Sequence, residues 1–235
     1  MNGTLALVGA GEFLPAMEDC DRMLLERSGG RSVAIVPTAA APDGAGVPER
    51  WAEQGVAHFQ RLGAQAFGVL ALTRENCSMP RFVQPVADAS LVYFSGGKPD
   101  FLVKTLGGTP FWEAVLGVLR RGGVVAGCSA GAMIMGALVP NFGARTGLFG
   151  WSGWLPGLGL VPGWVIMPHF NEIPELLVRL ALRPPREANR LLGIDRDTAL
   201  VSENGDWRVC GSGRVSLLRG RRAQRFRDGD RVVLE

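Results

Sequence analysis

Histidine, lysine and paired cysteines are scarce in this sequence, and each scarcity excludes a class of protein. Two histidines and four cysteines occur in 235 residues, and no two cysteines form a C-x-x-C pair, so neither a zinc site nor a disulfide framework is predicted. We therefore expect Cys20, Cys77, Cys128 and Cys210 to be free, mostly buried thiols. Because free thiols are typical of a reducing compartment, the sequence predicts a cytoplasmic protein.

Long apolar runs and a basic leader are also missing. No stretch of about 18 apolar residues is present, which excludes an ordinary membrane-spanning helix. The opening MNGTLALVGAGEF lacks the basic region and cleavage site of a signal peptide and instead predicts a strand. The formal net charge is only +3, and Asp228 and Asp230 interrupt the arginine-rich tail. We expect neither a membrane nor a nucleic-acid partner.

The abundance and the pattern of the apolar residues indicate a globular α/β protein. Hydrophobic residues make up 47% of the chain and charged residues 20%, a balance that permits a sizeable core. Short runs of Val, Ile and Leu alternate with segments of helical spacing, which predicts a mostly parallel sheet flanked by helices. No repeat or linker divides the chain, so we expect a single domain over residues 1–235. The predicted strands are Leu5–Val8, Ser32–Val36, Ala66–Leu70, Leu91–Phe94 and Val124–Ala126.

Helices are predicted between these strands and again further along the chain. From Thr198 onward the pattern changes to short alternating runs separated by Asn-Gly, Gly-Ser-Gly and Asp-Gly-Asp turns. We expect this tail to form antiparallel hairpins appended to the parallel sheet. The predicted helices are Pro15–Arg27, Pro48–Leu62, Pro110–Arg121, Glu172–Arg183 and Arg186–Leu192.

The segment Gly127-Cys128-Ser129-Ala130-Gly131 has the pattern G-x-S-x-G between a predicted strand and a helical stretch. At such an elbow the chain is strained and the strand and helix nearly touch, so small neighbours are required and the serine hydroxyl projects outward. The pattern predicts Ser129 as a nucleophile, with the Ala130 N–H as an oxyanion donor and the positive end of the helix favouring the developing anion. The same small residues also suit a tight junction without chemistry.

A second glycine-rich loop follows the predicted strand Leu91–Phe94. Ser95-Gly96-Gly97-Lys98 lies where that strand ends, and the glycines allow backbone amides to approach a ligand closely. In an open parallel sheet this loop can lie beside the Ser129 elbow. We expect Gly97 to supply the second oxyanion N–H, although an ordinary glycine turn has the same composition.

The search for a general base is short because only two histidines exist. His58 lies within an amphipathic helix and is interpreted as a surface or packing residue. His169 follows the apolar run Val165–Met167, at a strand end where catalytic loops of α/β proteins gather. Since a serine hydroxyl needs a neighbouring imidazole to take its proton, His169 is the expected base for Ser129.

These motifs resemble, in order and spacing, the family of serine peptidases that includes dipeptidase E and cyanophycinase. The resemblance rests on the Gly-Cys-Ser-Ala-Gly-Ala elbow, the Ser-Gly-Gly loop and the Pro-His-Phe segment. It implies a glutamine-amidotransferase-like fold, with Ser129 as nucleophile, His169 as base, and Gly97 and Ala130 as oxyanion amides. The family also implies a small peptide substrate and makes a homodimer an expectation.

One departure from that family concerns the third member of the triad. The family usually places its orienting acid between the serine and the histidine, but no aspartate or glutamate occurs between Glu113 and Glu172. Without an orienting group the imidazole can adopt the wrong tautomer. The sequence leaves open whether Glu12, Glu172, Glu203, Asn141 or a backbone carbonyl takes this place.

The sequence therefore predicts a serine hydrolase that cleaves small peptides or related amides through an acyl-enzyme, with no metal or organic cofactor. The missing acid keeps open a ligand-binding protein without catalysis. A second alternative is an amidotransferase that uses Cys128, since thiolates need less activation. The register of the elbow argues against it, because glycines flank Ser129 at the required spacing whereas alanines flank Cys128.

Overall fold

The computed structural model describes residues 3–141, 153–174, 190–203, 205–220 and 222–234. The described strands are β1 (Thr4–Val8), β2 (Ser32–Val36), β3 (Gln65–Gly68), β4 (Leu91–Phe94), β5 (Val124–Cys128), β6 (Leu138–Pro140), β7 (Trp154–Pro156), β8 (Trp164–Met167), β9 (Arg190–Ile194), β10 (Thr198–Glu203), β11 (Asp206–Gly211), β12 (Val215–Arg219), β13 (Arg222–Phe226) and β14 (Arg231–Val232).

The larger sheet has eight strands in the order β14-β11-β10-β1-β5-β4-β2-β3. Strands β1, β5, β4, β2 and β3 are parallel, and β10, β11 and β14 continue the sheet antiparallel. Strands β1, β2, β4 and β5 are buried almost throughout, which explains why they are continuous apolar runs rather than alternating ones. The prediction of a mostly parallel sheet, with antiparallel strands from the C-terminal part of the chain, is confirmed.

Helices cover both faces of this sheet. Their α-helical parts are α1 (Glu18–Arg27), α2 (Val47–Arg61), α3 (Pro80–Asp88), α4 (Pro99–Leu106), α5 (Pro110–Arg120) and α6 (Ala130–Met133). Helices α1 and α2 bury Leu24 and Phe59 on one face, whereas α3, α4 and α5 bury Val86, Leu102 and Phe111 on the other. None of the helices in the described ranges is long and apolar enough to cross a bilayer.

A second sheet carries the histidine-bearing segment. Its order is β13-β12-β9-β8, with β8 parallel to β9 and the other pairs antiparallel. Its inner side chains Trp164, Ile166, Leu192 and Val215 belong to the same buried cluster as helices α3 to α5. The hydrophobic core therefore extends from the parallel sheet into this smaller sheet, which places the end of β8 near the end of β5.

One predicted helix is wrong in the part that the structure describes. The helix predicted over Arg186–Leu192 ends in residues that form strand β9, because Leu191 and Leu192 pair with β8 on one side and β12 on the other. A short apolar run does not by itself distinguish a buried strand from a buried helix. The rest of this prediction, and most of the predicted helix Glu172–Arg183, lie outside the described residues.

The expectation of four free thiols is also wrong. Cys20 on α1 and Cys210 on β11 form a disulfide across a sequence separation of 190 residues, whereas Cys77 and Cys128 are free and buried. The bond joins a helix near the start of the chain to the antiparallel extension of the larger sheet. Two cysteines so far apart in sequence meet only because β11 is placed over α1 by its pairing with β10.

Reduction of this disulfide is expected to destabilise the fold. A crosslink that closes so long a loop restricts the unfolded chain, and removing a native disulfide typically costs about 2–5 kcal/mol. Titration of the denatured protein should find two thiols without reductant and four after reduction, and calorimetry should show a lower unfolding temperature for the reduced form. Four thiols in the unreduced protein would contradict the pairing.

Candidate active site

Three loops meet at the carboxyl edge of the parallel sheet. They follow the neighbouring strands β1, β5 and β4, which end beside one another because the strands are parallel and in register. The loop after β1 contains Glu12, the loop after β5 contains Ser129, and the loop after β4 contains Gly96 and Gly97. This edge is where ligands bind in open α/β sheets.

Ser129 occupies a strained backbone conformation. Its φ and ψ are 51° and −112°, a region that residues other than glycine seldom adopt. The Ser129 N–H donates to the Val8 carbonyl at 3.0 Å, which fixes the turn to β1, and the side chain is half-buried at the cleft. The predicted strand-to-helix elbow is present, but α6 is only four residues long, so individual N–H groups rather than a long helix dipole face the site.

The glycines beside Ser129 are required by contacts with backbone. A Cβ atom on Gly127 would collide with the carbonyl group of Gly131, and one on Gly131 would lie 2.7 Å from the Phe94 carbonyl oxygen. Neither neighbour is a flexible side-chain end that could move aside. The close approach of β5, α6 and β4 therefore accounts for the glycine spacing that the sequence shows.

Gly127→Ala is accordingly expected to destabilise the protein by about 3 kcal/mol or more, since over-packing against backbone forces the elbow apart. Gly117 provides the matched control, because it lies in α5 and a Cβ there meets only arginine side-chain ends at 3.6 Å or more. Gly117→Ala should stabilise the helix by about 1 kcal/mol. Urea unfolding of both variants measures the difference, and equal stabilities would contradict the steric argument.

The glycine loop after β4 donates most of its N–H groups to nearby oxygen atoms. The Ser95 and Lys98 N–H groups donate to the carbonyls of Val36 and Ala39 at 3.2 and 2.8 Å, and the Gly96 N–H donates to Glu12 Oε1 at 2.9 Å. The Gly97 N–H has no partner in the described part of the chain. Gly97 has a φ of +142°, and a Cβ there would collide with the backbone of Ala39, so glycine is required.

The Ala130 N–H is the corresponding group on the elbow. It is the first N–H of α6, and no hydrogen bond to it is found among the described residues. Ala130 is fully buried, and two N–H groups further along the turn, from Ala132 and Met133, donate to the Ser129 carbonyl at 3.0 Å. The two N–H groups that the sequence predicted as oxyanion donors are thus both unpartnered in the described residues.

His169 lies against the serine as the sequence predicted. Its Nε2 is 3.2 Å from Ser129 Oγ, and its Nδ1 is 2.7 Å from Glu172 Oε2. His169 has left-handed φ and ψ of 54° and 31°, and the Glu172 N–H donates to the His169 carbonyl at 2.9 Å. This tight turn returns the carboxyl group at position i+3 to the imidazole. Glu172 is thus an acid whose carboxyl group lies within hydrogen-bond distance of the His169 ring.

Arg196 holds the other oxygen of that acid. Its Nη1 lies 3.4 Å from Glu172 Oε1, and its backbone N–H donates to Asn171 Oδ1 at 2.9 Å. The pKa of the Glu172 carboxyl is lowered, chiefly because it accepts a hydrogen bond from His169, and Arg196 adds to the effect. Sequence reasoning missed Arg196, since it follows β9 in a turn without any motif.

The other candidates for the orienting acid have different surroundings. The carboxyl group of Glu12 is buried and bonds to Gly96 N–H and to the Cys128 thiol rather than to the imidazole. Asn141 accepts from Lys104 Nζ at 3.5 Å. The side chain of Glu203 lies outside the described residues. The sequence interprets His58 as a surface or packing residue. In the structure it is buried, and its Nε2 lies 2.8 Å from Asp21 Oδ2.

Cys128 is unsuited to act as the nucleophile. Its side chain is fully buried beneath the elbow, and its thiol donates to Glu12 Oε2 at 2.9 Å. Burial and the neighbouring carboxyl group of Glu12 raise the pKa of the Cys128 thiol well above its usual value. Because the thiolate is the reactive form of cysteine, these surroundings disfavour Cys128 as a nucleophile. Across the described ranges, no three His, Cys, Asp or Glu side chains are grouped to hold a metal ion.

Comparison with known structures finds the same fold in peptidases. A crystal structure of a peptidase from an acI-B1 actinobacterium matches with a TM-score of 0.88 and 36% sequence identity, over 99% of this chain and 97% of that one. A putative peptidase E protein from Listeria monocytogenes EGD-e matches with a TM-score of 0.56 and 17% identity, over 96% of this chain and 98% of that one. At that identity the second likeness concerns the fold alone.

The family comparison agrees with the resemblance that the sequence motifs carry. The model of peptidase family S51, which includes dipeptidase E and cyanophycinase, matches residues 5–210. The match covers the elbow, the glycine loop, the histidine turn and the loop that carries Arg196. This chain therefore belongs to peptidase family S51.

Proposed function

We propose that the protein is a serine peptidase in which Ser129 is the nucleophile, His169 the general base and Glu172 the orienting acid. The observation that carries this proposal is the continuous chain of contacts from Ser129 Oγ to His169 Nε2 at 3.2 Å and from His169 Nδ1 to Glu172 Oε2 at 2.7 Å. With Nδ1–H donating to the carboxylate, the lone pair of Nε2 faces the serine hydroxyl. This is the tautomer that a general base requires.

The proposed reaction proceeds by acyl transfer. As Ser129 Oγ attacks the carbonyl carbon of the peptide, its proton passes to His169 Nε2, and the imidazolium then gives that proton to the leaving amine. The C–N bond breaks and the acyl group remains on Ser129 as an ester. A water molecule, deprotonated by His169, attacks the ester and releases the acid, and the serine recovers its proton.

The N–H groups of Gly97 and Ala130, which have no partner among the described residues, are the proposed oxyanion donors. Negative charge develops on the carbonyl oxygen during attack, and pre-oriented N–H groups stabilise it without reorganisation at the moment of reaction. Both groups belong to segments fixed by other hydrogen bonds, and they flank the nucleophile from β4 and β5. Their positions support a tetrahedral intermediate formed at Ser129.

Small peptides are the proposed substrates. His169 and Glu172 are only partly covered, with side-chain exposures of 37% and 41%, so a substrate can reach the base from solvent. The similar actinobacterial protein is described as a peptidase, and the family is a family of peptidases. We also propose that residues 1–235 act as one domain, since one buried cluster includes side chains of both sheets.

The proposal is tested by incubating the protein with a panel of dipeptides to pentapeptides and following cleavage by mass spectrometry. Hydrolysis by the wild-type protein that continues in the presence of a chelator is expected, because the proposed steps use side chains and backbone N–H groups alone. Wild-type protein that cleaves no member of the panel, or that loses activity to the chelator, would contradict the proposed function.

The two alternatives that the sequence left open receive less support. A ligand-binding protein without catalysis was suggested by the missing acid, and Glu172 now lies within hydrogen-bond distance of the imidazole. An amidotransferase that uses Cys128 requires a reactive thiolate, whereas that thiol is buried, hydrogen-bonded and of raised pKa. Both observations favour serine catalysis.

A further inference from the structure

Glu12 is a buried acid that the proposed triad does not use. Glu12 is only 8% exposed and lies in the loop after β1, behind the serine elbow. Oε1 accepts from the Gly96 N–H at 2.9 Å, and Oε2 accepts from the Cys128 thiol at 2.9 Å. The carboxyl group therefore connects the glycine loop after β4 to the residue that precedes Ser129.

The contacts around Glu12 determine which N–H of the glycine loop faces the cleft. Gly96 lies so close to the nucleophile that a Cβ atom on it would be 3.4 Å from Ser129 Cβ and 3.1 Å from Glu12 Oε1. With its N–H turned toward Glu12, Gly96 cannot present that group to a substrate. The neighbouring Gly97 N–H then remains the unpartnered donor of the loop within the described chain.

The backbone beside Glu12 contains one strained residue. Phe13 has a φ of 64°, which is rare for a bulky residue, whereas the φ of 88° at Gly11 is readily adopted by glycine. Phe13 is buried with its ring 5.1 Å from that of Tyr93, so packing maintains the conformation. The loop after β1 is thereby bent so that the Glu12 carboxyl group points between β4 and β5.

We propose that Glu12 is a positioning residue for the oxyanion hole: its hydrogen bond to the Gly96 N–H orients the Gly96–Gly97 peptide so that the Gly97 N–H points at the developing oxyanion. This inference rests on the proposed serine mechanism. It assigns Glu12 no proton transfer and no contact with the substrate. What matters is an acceptor at the position of Oε1.

Two variants separate the acceptor from the charge. Glu12→Ala removes the acceptor, and we expect kcat to fall about 10- to 100-fold with KM changed less than about threefold, since a misplaced oxyanion donor weakens the transition state rather than substrate binding. Glu12→Gln keeps an oxygen acceptor for Gly96, and we expect kcat within about threefold of the wild type. Equal losses in both variants would show that the charge is what matters and would overturn the proposal.

Asp21→Asn is the control, because Asp21 is another buried carboxyl group but is paired with His58 at 2.8 Å rather than with the glycine loop. It should lower the unfolding temperature and leave kcat of the folded protein unchanged. If Asp21→Asn lowers kcat as much as Glu12→Ala, loss of any buried acid accounts for the effect and the proposal is wrong.

A measurement independent of activity distinguishes failure of this inference from failure of the proposed function. Amide hydrogen exchange at Gly96 should be at least tenfold faster in Glu12→Ala than in Glu12→Gln, because only the alanine variant lacks the acceptor. Unchanged Gly96 exchange in Glu12→Ala would overturn the positioning role even in an active enzyme. Faster exchange together with a wild-type protein that hydrolyses no peptide would support the positioning of the loop and count against the serine mechanism alone.

Discussion

Ser129→Ala is expected to lower kcat/KM for peptide hydrolysis by about 10⁴- to 10⁶-fold while leaving the fold intact, because removal of a serine nucleophile leaves only the assistance of the oxyanion hole and of substrate binding. The hydroxyl is half-buried and, among the described residues, makes its hydrogen bond with the imidazole, so its loss creates no large cavity. Steady-state kinetics on a cleaved peptide, with circular dichroism on the same sample, measures both effects.

Cys128→Ser is the control for that prediction, since it retains a hydrogen-bond donor to Glu12 and removes the only other nucleophile of the elbow. It should lose at most about tenfold in activity, far less than Ser129→Ala. The serine mechanism would be contradicted if Ser129→Ala kept wild-type activity, and the amidotransferase alternative would be revived if Cys128→Ser lost activity completely.

Glu172→Gln is expected to lower kcat by about 10²- to 10³-fold. In serine proteases a neutral replacement of the orienting acid costs about 10⁴-fold because the wrong imidazole tautomer is stabilised. A smaller loss is expected here since Glu172 is 41% exposed, so water can partly replace it. A partly exposed carboxylate elsewhere, Glu18 on α1 with a side-chain exposure of 40%, supplies the control, and Glu18→Gln should have the activity of the wild type.

The pH dependence of this variant follows from the lowered pKa of Glu172. A carboxyl group whose pKa is depressed in the folded protein is ionised above that value and loses its charge only as the pH falls through it. The ratio of wild-type to Glu172→Gln activity should therefore be largest and independent of pH on the alkaline side of neutrality, and it should shrink as the pH falls. A ratio that grows as the pH falls would contradict the assignment.

The parts of the site that follow from local geometry could be predicted from the sequence. The elbow at Ser129 needs glycines at fixed spacing, because a Cβ atom at position 127 or 131 would meet backbone. Gly127 and Gly131 therefore indicate the elbow in the sequence. The loop at Gly97 was found in the same way, from glycines at a strand end. Parallel neighbouring strands then bring both loops to one edge of the sheet.

The orienting acid could be proposed but not chosen. Glu172 follows His169 by three residues, so in an extended chain their side chains would point to opposite sides. They meet because His169 adopts left-handed φ and ψ and begins a tight turn. The ring of Phe170 is packed against Gly193 of β9, where any Cβ would clash with it, and this contact anchors the turn. Such a backbone conformation leaves no pattern in the sequence.

Long-range pairing accounts for the predictions that failed. Cys20 and Cys210 have no spacing that identifies them as partners, and they meet through the antiparallel strands that extend the sheet. The sequence predicts helix at the start of strand β9 because its short apolar run fits both structures, and pairing with β8 and β12 decides between them. Arg196, which holds Glu172, lies directly beyond that strand.

The central claim, that Ser129 is the nucleophile activated by His169, is tested most directly by covalent labelling. After incubation with a fluorophosphonate probe, intact-mass and tandem mass spectrometry should find one probe molecule, attached to Ser129, with labelling abolished in Ser129→Ala and strongly slowed in His169→Ala. Absence of labelling under conditions that label a known serine hydrolase, or attachment at another residue, would contradict the account.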